Sequence, residues 1–221
     1  MVLSAETKLL VSLVIGPRTE VLARALWQDF VMRTDGVLPE LITTDEYRPY
    51  RQAVLRAYGL RREFPRTGKV GRPRSPRLEP PPELVYAMVH KQREDGRVVD
   101  VSIRRVFGTR RQLDAALGCS EVSSHVNTTF VERFNGTVRQ HNSRKARKVY
   151  TFSKEFEQHV AMSWFGASYY NFCRPHRGLR TKENGRWSRR TPGMAAGLSD
   201  HVWDLREFMR HPLTHTALPA S

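Results

Sequence analysis

An α/β fold with a partly parallel sheet is the class this sequence predicts, and three observations predict it. The branched apolar run at residues 9–15 stops at Gly16-Pro17, as a buried strand does. Two β-rich runs flank Glu94-Asp95-Gly96, where Asp-Gly signals a hairpin. The last third reads as long helices. The order strand, helix, strand, helix, hairpin, helices calls for crossovers between strands, and crossovers bring parallel pairing.

Each element has a local cause. Leu9-Leu-Val-Ser-Leu-Val-Ile15 is the first strand. Thr19 can cap a helix running to about Thr34, with Leu22, Leu26 and Phe30 on one face and Asp35-Gly36 stopping it. A short strand, Glu40 to Thr44, delivers Asp45 at its C-terminal end, and Glu46 to Tyr58 reads as a helix closed by Gly59. Residues 60–83 hold six prolines and seven Lys or Arg, which predicts an irregular basic insertion. Val85 to Lys91 and Arg97 to Phe107 then form the hairpin of segment 84–108, and Arg110 to Leu117 a short helix. Val126 to Lys148 reads as one long helix, and Ser153 as the cap of another reaching about Phe172. The main domain is expected over 1–175. Residues 176–221 read as a polar tail with short pieces such as Val202 to Met209.

Composition narrows the partners. At 221 residues and 39% hydrophobic, the chain is long enough to bury a real core. Lys and Arg number 37 against 22 Asp and Glu, a net charge of +15. Such an excess suits a polyanion, because neutralising phosphates releases condensed counterions. Cys119 and Cys173 match no ligand spacing, so a reducing compartment and no zinc site are expected. The N-terminal apolar run lacks a basic leader and a small-residue cleavage site, and no apolar stretch reaches the roughly 18 residues of a membrane span. The expected location is the cytoplasm, on the bacterial nucleoid, with no membrane partner.

Chemistry concentrates on the helix from Val126. Phe130, Phe134 and Val138 recur every four residues as an apolar stripe, with Glu132, Asn135, Arg139 and Ser143 roughly opposite. A carboxylate and a guanidinium two turns apart suit phosphoryl transfer, although spacing alone favours an ordinary solvated face. Arg133, Arg139, Arg144, Lys145, Arg147 and Lys148 make a basic ridge suited to a nucleic-acid backbone, or a helix end favoured by the dipole. Asp45, between a strand and a helix, stands where α/β sheets place ligands, and also where a plain N-cap stands. Val70-Gly-Arg-Pro-Arg74 puts Arg72 and Arg74 in a short minor-groove-like motif or a basic loop. Trp164, Phe165, Tyr169, Tyr170 and Phe172 suit a core better than base stacking, and His176 and His201 have no partner legible in the sequence.

The run Val126-Asn-Thr-Thr-Phe-Val-Glu-Arg-Phe-Asn-Gly-Thr-Val-Arg139 resembles the glutamate helix of DDE transposases of the insertion-sequence-one type. Phe152-Ser-Lys154, Tyr170-Asn-Phe-Cys-Arg-Pro-His176, Arg190-Thr-Pro-Gly-Met-Ala-Ala-Gly197 and Asp200-His-Val-Trp203 are similar to the same family in order and spacing. So are Ala5-Glu-Thr-Lys8, Gly16-Pro-Arg-Thr19 and Thr43-Thr-Asp45 upstream, and the likeness covers nearly the whole chain. It implies an RNase H-like mixed sheet with flanking helices. It also implies a carboxylate triad holding two Mg²⁺ or Mn²⁺ ions, with Asp45 as second acid, Glu132 as third and Arg139 contacting DNA near the cut. The implied partners are double-stranded DNA, both element ends and target, and a second copy or full-length transposase. By the same likeness the first one to two strands, with the first aspartate, belong before Met1. The expectation is therefore a partial catalytic domain, with a non-catalytic DNA-binding remnant or a non-functional fragment as alternatives.

Overall fold

The structure, a computed structural model, describes residues 1–64, 74–146, 149–183 and 185–211. In chain order it begins with strands β1 (Val2–Leu3) and β2 (Leu10–Ser12), helix α1 (Glu20–Arg33), β3 (Ile42–Asp45) and α2 (Pro49–Tyr58). Next come β4 (Leu60–Arg62), β5 (Arg77–Glu79), β6 (Tyr86–Glu94), β7 (Arg97–Phe107) and α3 (Arg110–Cys119). The remainder is α4 (Thr129–His141), α5 (Phe156–Phe172), β8 (Thr181–Glu183), β9 (Arg186–Ser188), α6 (Pro192–Ala195) and α7 (Leu205–Arg210). The class is mixed α/β. Contacts divide the chain into two units: Met1–Ile15 with Thr129–Ser221, and Gly16–Thr128.

The unit Gly16–Thr128 is built on the sheet β3-β6-β7. β3 runs parallel to β6 in the register Ile42↔Tyr86 to Asp45↔Val89, as the crossover from β3 through α2 requires. β6 and β7 are antiparallel, joined at Asp95 and Gly96, whose φ values of 48° and 77° give the primed turn that the Asp-Gly pair favours. The first half of β6, Tyr86 to Val89, is buried, as befits the middle strand. Val85, Ala87, Val89, Leu113 and Val126 form one core cluster. α1 starts where Thr19 accepts a hydrogen bond from Leu22 N at 3.3 Å, and it buries Ala23, Leu26, Trp27 and Phe30. α3 starts on a capping box: Gln112 Oε1 accepts from Thr109 N at 2.7 Å, and Thr109 Oγ1 accepts from Gln112 N at 3.2 Å.

Two expectations change in this unit. α2 begins at Pro49 rather than Glu46, because proline's fixed φ and missing N–H suit the first helical turn. The basic insertion is not irregular throughout. β4 and β5 pair antiparallel, Leu60↔Glu79 to Arg62↔Arg77, and Arg62 Nη1 reaches Glu79 Oε2 across the pair at 2.9 Å. The intervening residues 65–73, Arg72 among them, lie outside the described residues.

The unit joining the two ends of the chain packs α4 and α5 against the N-terminal strands. Leu10, Leu13, Phe134 and Ala167 form its core, with Leu3, Val138, Trp164 and Tyr170 against it. The expected strand at residues 9–15 shortens to Leu10–Ser12, paired with Val2–Leu3. At Leu10 a side chain completes the pairing. Asn171 Oδ1 accepts from Leu10 N at 3.0 Å, and Asn171 Nδ2 donates to Leu10 O at 2.9 Å.

The long helix expected over residues 126–148 ends at His141. Asn142 leaves helical geometry at φ −130°, and its Oδ1 accepts from Arg144 N at 3.1 Å, opening a separate 3₁₀ turn at Ser143–Lys145. α5 begins at Phe156 with Glu155 before it. Ser153 does not cap that helix; its hydroxyl pairs with His159 Nδ1 at 3.3 Å. The segment expected as a tail instead packs, as far as residue 211. Phe208 is buried beside Phe165 and Tyr169, and Trp203 stacks on Phe172 at 4.6 Å between centroids. A few large aromatics in a polar segment anchor it, although its average composition hides them.

Candidate functional site

Asp45 ends β3, exposed at the C-terminal edge of a strand parallel to its neighbour. It does not cap α2, whose N-cap residue is Arg48 with no side-chain cap bond. Instead its Oδ2 accepts from Arg18 Nη2 at 2.7 Å, and its Oδ1 from Tyr47 N at 3.4 Å. Arg18 is held in turn: its guanidinium lies 4.3 Å from the Tyr47 ring centroid, and its carbonyl accepts from the Tyr47 hydroxyl at 2.8 Å. Beside Asp45, Glu46 contacts His90 Nδ1 closely and Arg104 Nη1 at 3.0 Å. The His90 hydrogen bond first, then the charges of His90, Arg104 and Arg48, hold its carboxyl below the usual range against some desolvation.

Sequence reasoning missed Arg18, Glu46, His90 and Arg104. Arg18 sits inside Gly16-Pro-Arg-Thr19, a run already notable in the sequence. The partners of Glu46 come from strands 44 and 58 residues farther on, and no local pattern links them.

Glu132 lies in the first turn of α4 and Arg139 in the last, each favourable to the helix dipole. Glu132, Arg133 and Arg139 are exposed, Asn135 is half-buried, and Phe134 is buried. The helix therefore packs by its aromatic stripe and offers charge outward, as its periodicity predicts. Phe130 is half-buried beneath the Lys8 ammonium, 3.8 Å from its ring centroid.

The expected basic ridge is interrupted. Arg144 and Lys145 belong to the 3₁₀ turn after α4, and burial lowers the Lys145 pKa. Arg147 and Lys148, like Arg72, fall outside the described residues. Arg74 is exposed, and its guanidinium lies 5.8 Å from the Phe64 ring, which Arg62 and Arg77 approach to 5.6 and 5.5 Å.

Asp45 belongs to the unit Gly16–Thr128 and Glu132 to the other. Among the described residues, no three or more His, Cys, Asp or Glu side chains group so as to hold a metal ion. Among them, too, no helix is long and apolar enough to cross a membrane. Phe165, Tyr170 and Phe172 are half-buried in ring contacts inside their unit and pack as core aromatics do, whereas Tyr169 touches Phe208 from an exposed position. His201 gains partners the sequence did not reveal: Asp200 beside it and Glu207 at 3.0 Å, both raising its pKa. Known protein families, curated proteins and solved structures offer no match to this chain.

Proposed function

We propose that this chain is part of an RNase H-like DDE transposase catalytic region, acting on double-stranded DNA by metal-dependent phosphoryl transfer. The observation that carries the reading is α4, which buries Phe134 and exposes Glu132, Arg133 and Arg139 within ten residues of a helix. An acid for a metal and cations for phosphate on one helix suit that chemistry. The ordered motifs that resemble the family, and the +15 charge, support it further. Asp45 and Glu132 are hard oxygen donors of the kind Mg²⁺ or Mn²⁺ prefers. Such an ion, when bound, would polarise the phosphodiester and activate the attacking hydroxyl or water. The working assembly in this reading is a homodimer, or a co-assembly with full-length transposase, on element ends and target DNA.

A second reading has its own support. The Arg18 guanidinium, 2.7 Å from Asp45, neutralises the carboxylate that a metal would need. On that basis the chain binds DNA without cutting it. One assay separates the two: purified chain, Mg²⁺ or Mn²⁺, and a terminal-repeat duplex. Cleavage or strand transfer that disappears in Glu132→Ala supports the enzymatic reading. Salt-sensitive binding without cleavage supports the second. Cleavage that persists in Glu132→Ala removes Glu132 from the chemistry.

A further inference from the structure

One cavity of about 70 Å³ lies wholly within the unit built from the chain ends. It is lined by Leu3, Lys8, Phe130, Arg133, Phe134, Thr137, Tyr170 and His176. No carboxylate lines it. A water occupies roughly 10–15 Å³ by the same measure, so the space suits about five heavy atoms. A phosphate group has that size.

The polar walls come from three separate places in the chain, Lys8, α4 and the turn that opens at His176. Lys8 adopts a left-handed backbone at φ 58°, uncommon for a residue of its type. Its carbonyl accepts from the Tyr170 hydroxyl at 3.2 Å, while its ammonium rests on the Phe130 ring and contacts the Ala5 carbonyl. Arg133 projects from α4. His176 opens a 3₁₀ turn, where its Nδ1 accepts from Gly178 N at 3.2 Å. An imidazole that accepts at Nδ1 carries its proton at Nε2, which leaves Nε2–H as its donor. Thr137 spends its hydroxyl proton on the Arg133 carbonyl at 3.2 Å. The donors left for a guest are an ammonium, a guanidinium and an imidazole N–H.

We propose that this cavity is a phosphate-binding subsite, in which Lys8, Arg133 and His176 together hold one phosphate group. The electrostatics support it. Burial lowers the Lys8 pKa, and Arg133 lowers it further against the opposing charge of Glu6. Burial also lowers that of His176, assisted by Lys8, Arg133 and Arg174. Cationic groups that push one another's protons off create a positive potential that a bound anion relieves. Phe130 and Phe134 wall the cavity with apolar surface, which strengthens charge-assisted hydrogen bonds inside it. In taking a DNA backbone phosphate as the guest, the inference rests on the DNA-binding reading above. The same donors would accept free inorganic phosphate.

The test is calorimetric titration of inorganic phosphate into the full chain, with acetate as the competing anion class. Phosphate should bind saturably and acetate far more weakly. Lys8→Asn removes the cation yet tolerates the left-handed backbone, and it should weaken phosphate at least about tenfold. Should that variant fail to fold by circular dichroism, His176→Asn serves instead. It keeps an acceptor for Gly178 N–H while removing the imidazole donor. No phosphate binding by the wild type, equal binding by the variants, or equal affinity for acetate would overturn the proposal. A parallel loss of duplex affinity in Lys8→Asn identifies the backbone as the source. Lost phosphate binding with unchanged duplex affinity identifies soluble phosphate, and the subsite stands. Failure of the DNA reading shows separately, as a wild type that does not bind duplex at low salt.

Discussion

Asn171 shows how much a single side chain can hold. Nine-tenths buried on α5, it makes both hydrogen bonds to the Leu10 backbone, doing for that residue what a neighbouring strand would do. Replacing it by leucine keeps the volume but strands a buried N–H and a buried C=O. Asn171→Leu should therefore cost about 3 kcal/mol in urea unfolding, whereas a cost within a few tenths would mean that water takes over both bonds. Arg18 meets Asp45 differently, through one ion pair at 2.7 Å between exposed side chains. What the sequence makes legible at this scale is where two acids stand, Asp45 on a strand end and Glu132 on an exposed helix face. It does not make the pairings around them legible, because Arg18 reaches Asp45, and His90 and Arg104 reach the neighbouring Glu46, through tertiary folding and leave no spacing rule.

Among the elements, those with strong local chemistry follow their sequences closely. α1 has its Thr19 cap, the β6–β7 hairpin its Asp-Gly turn, and α3 its Thr109–Gln112 box. Thr109→Val removes one half of that box and should destabilise the chain by about 1 kcal/mol in thermal or urea unfolding. Thr109→Ser should leave stability nearly unchanged. Where two local signals compete, the sequence misleads. The helical periodicity of residues 126–148 continues past His141, but Asn142 turns its side chain onto Arg144 N and ends α4 there. Proline count made residues 60–83 look irregular, yet β4 and β5 pair there, and Arg62 reaches Glu79 across the pair while Arg77 flanks the same carboxylate from its own strand. Averages over the C-terminal segment likewise hid Trp203 and Phe208.

At the level of the molecule, the net charge of +15 sets the most general expectation. Duplex affinity should fall linearly on a log–log plot against salt, with a slope of about −0.9 per phosphate neutralised. Arg139→Ala and Arg144→Ala should each flatten that slope by about 1. Affinity indifferent to salt would remove the backbone contacts from the account. The α/β class and its parallel pairing were readable from the order of elements. The division into units was not, because one of them joins residues 1–15 to residues 129–221 across the whole of the other. That interleaving sets a timetable for the ribosome. Leu10 and the Asn171 that pairs with it are separated by 161 residues of synthesis, roughly 10–30 s at ordinary elongation rates. Throughout that interval Leu10 and Leu13 have emerged with α5 still unmade, while all of residues 16–128 can fold. The nascent N-terminal strands are thus a natural client for a chaperone until α4 and α5 arrive to cover them.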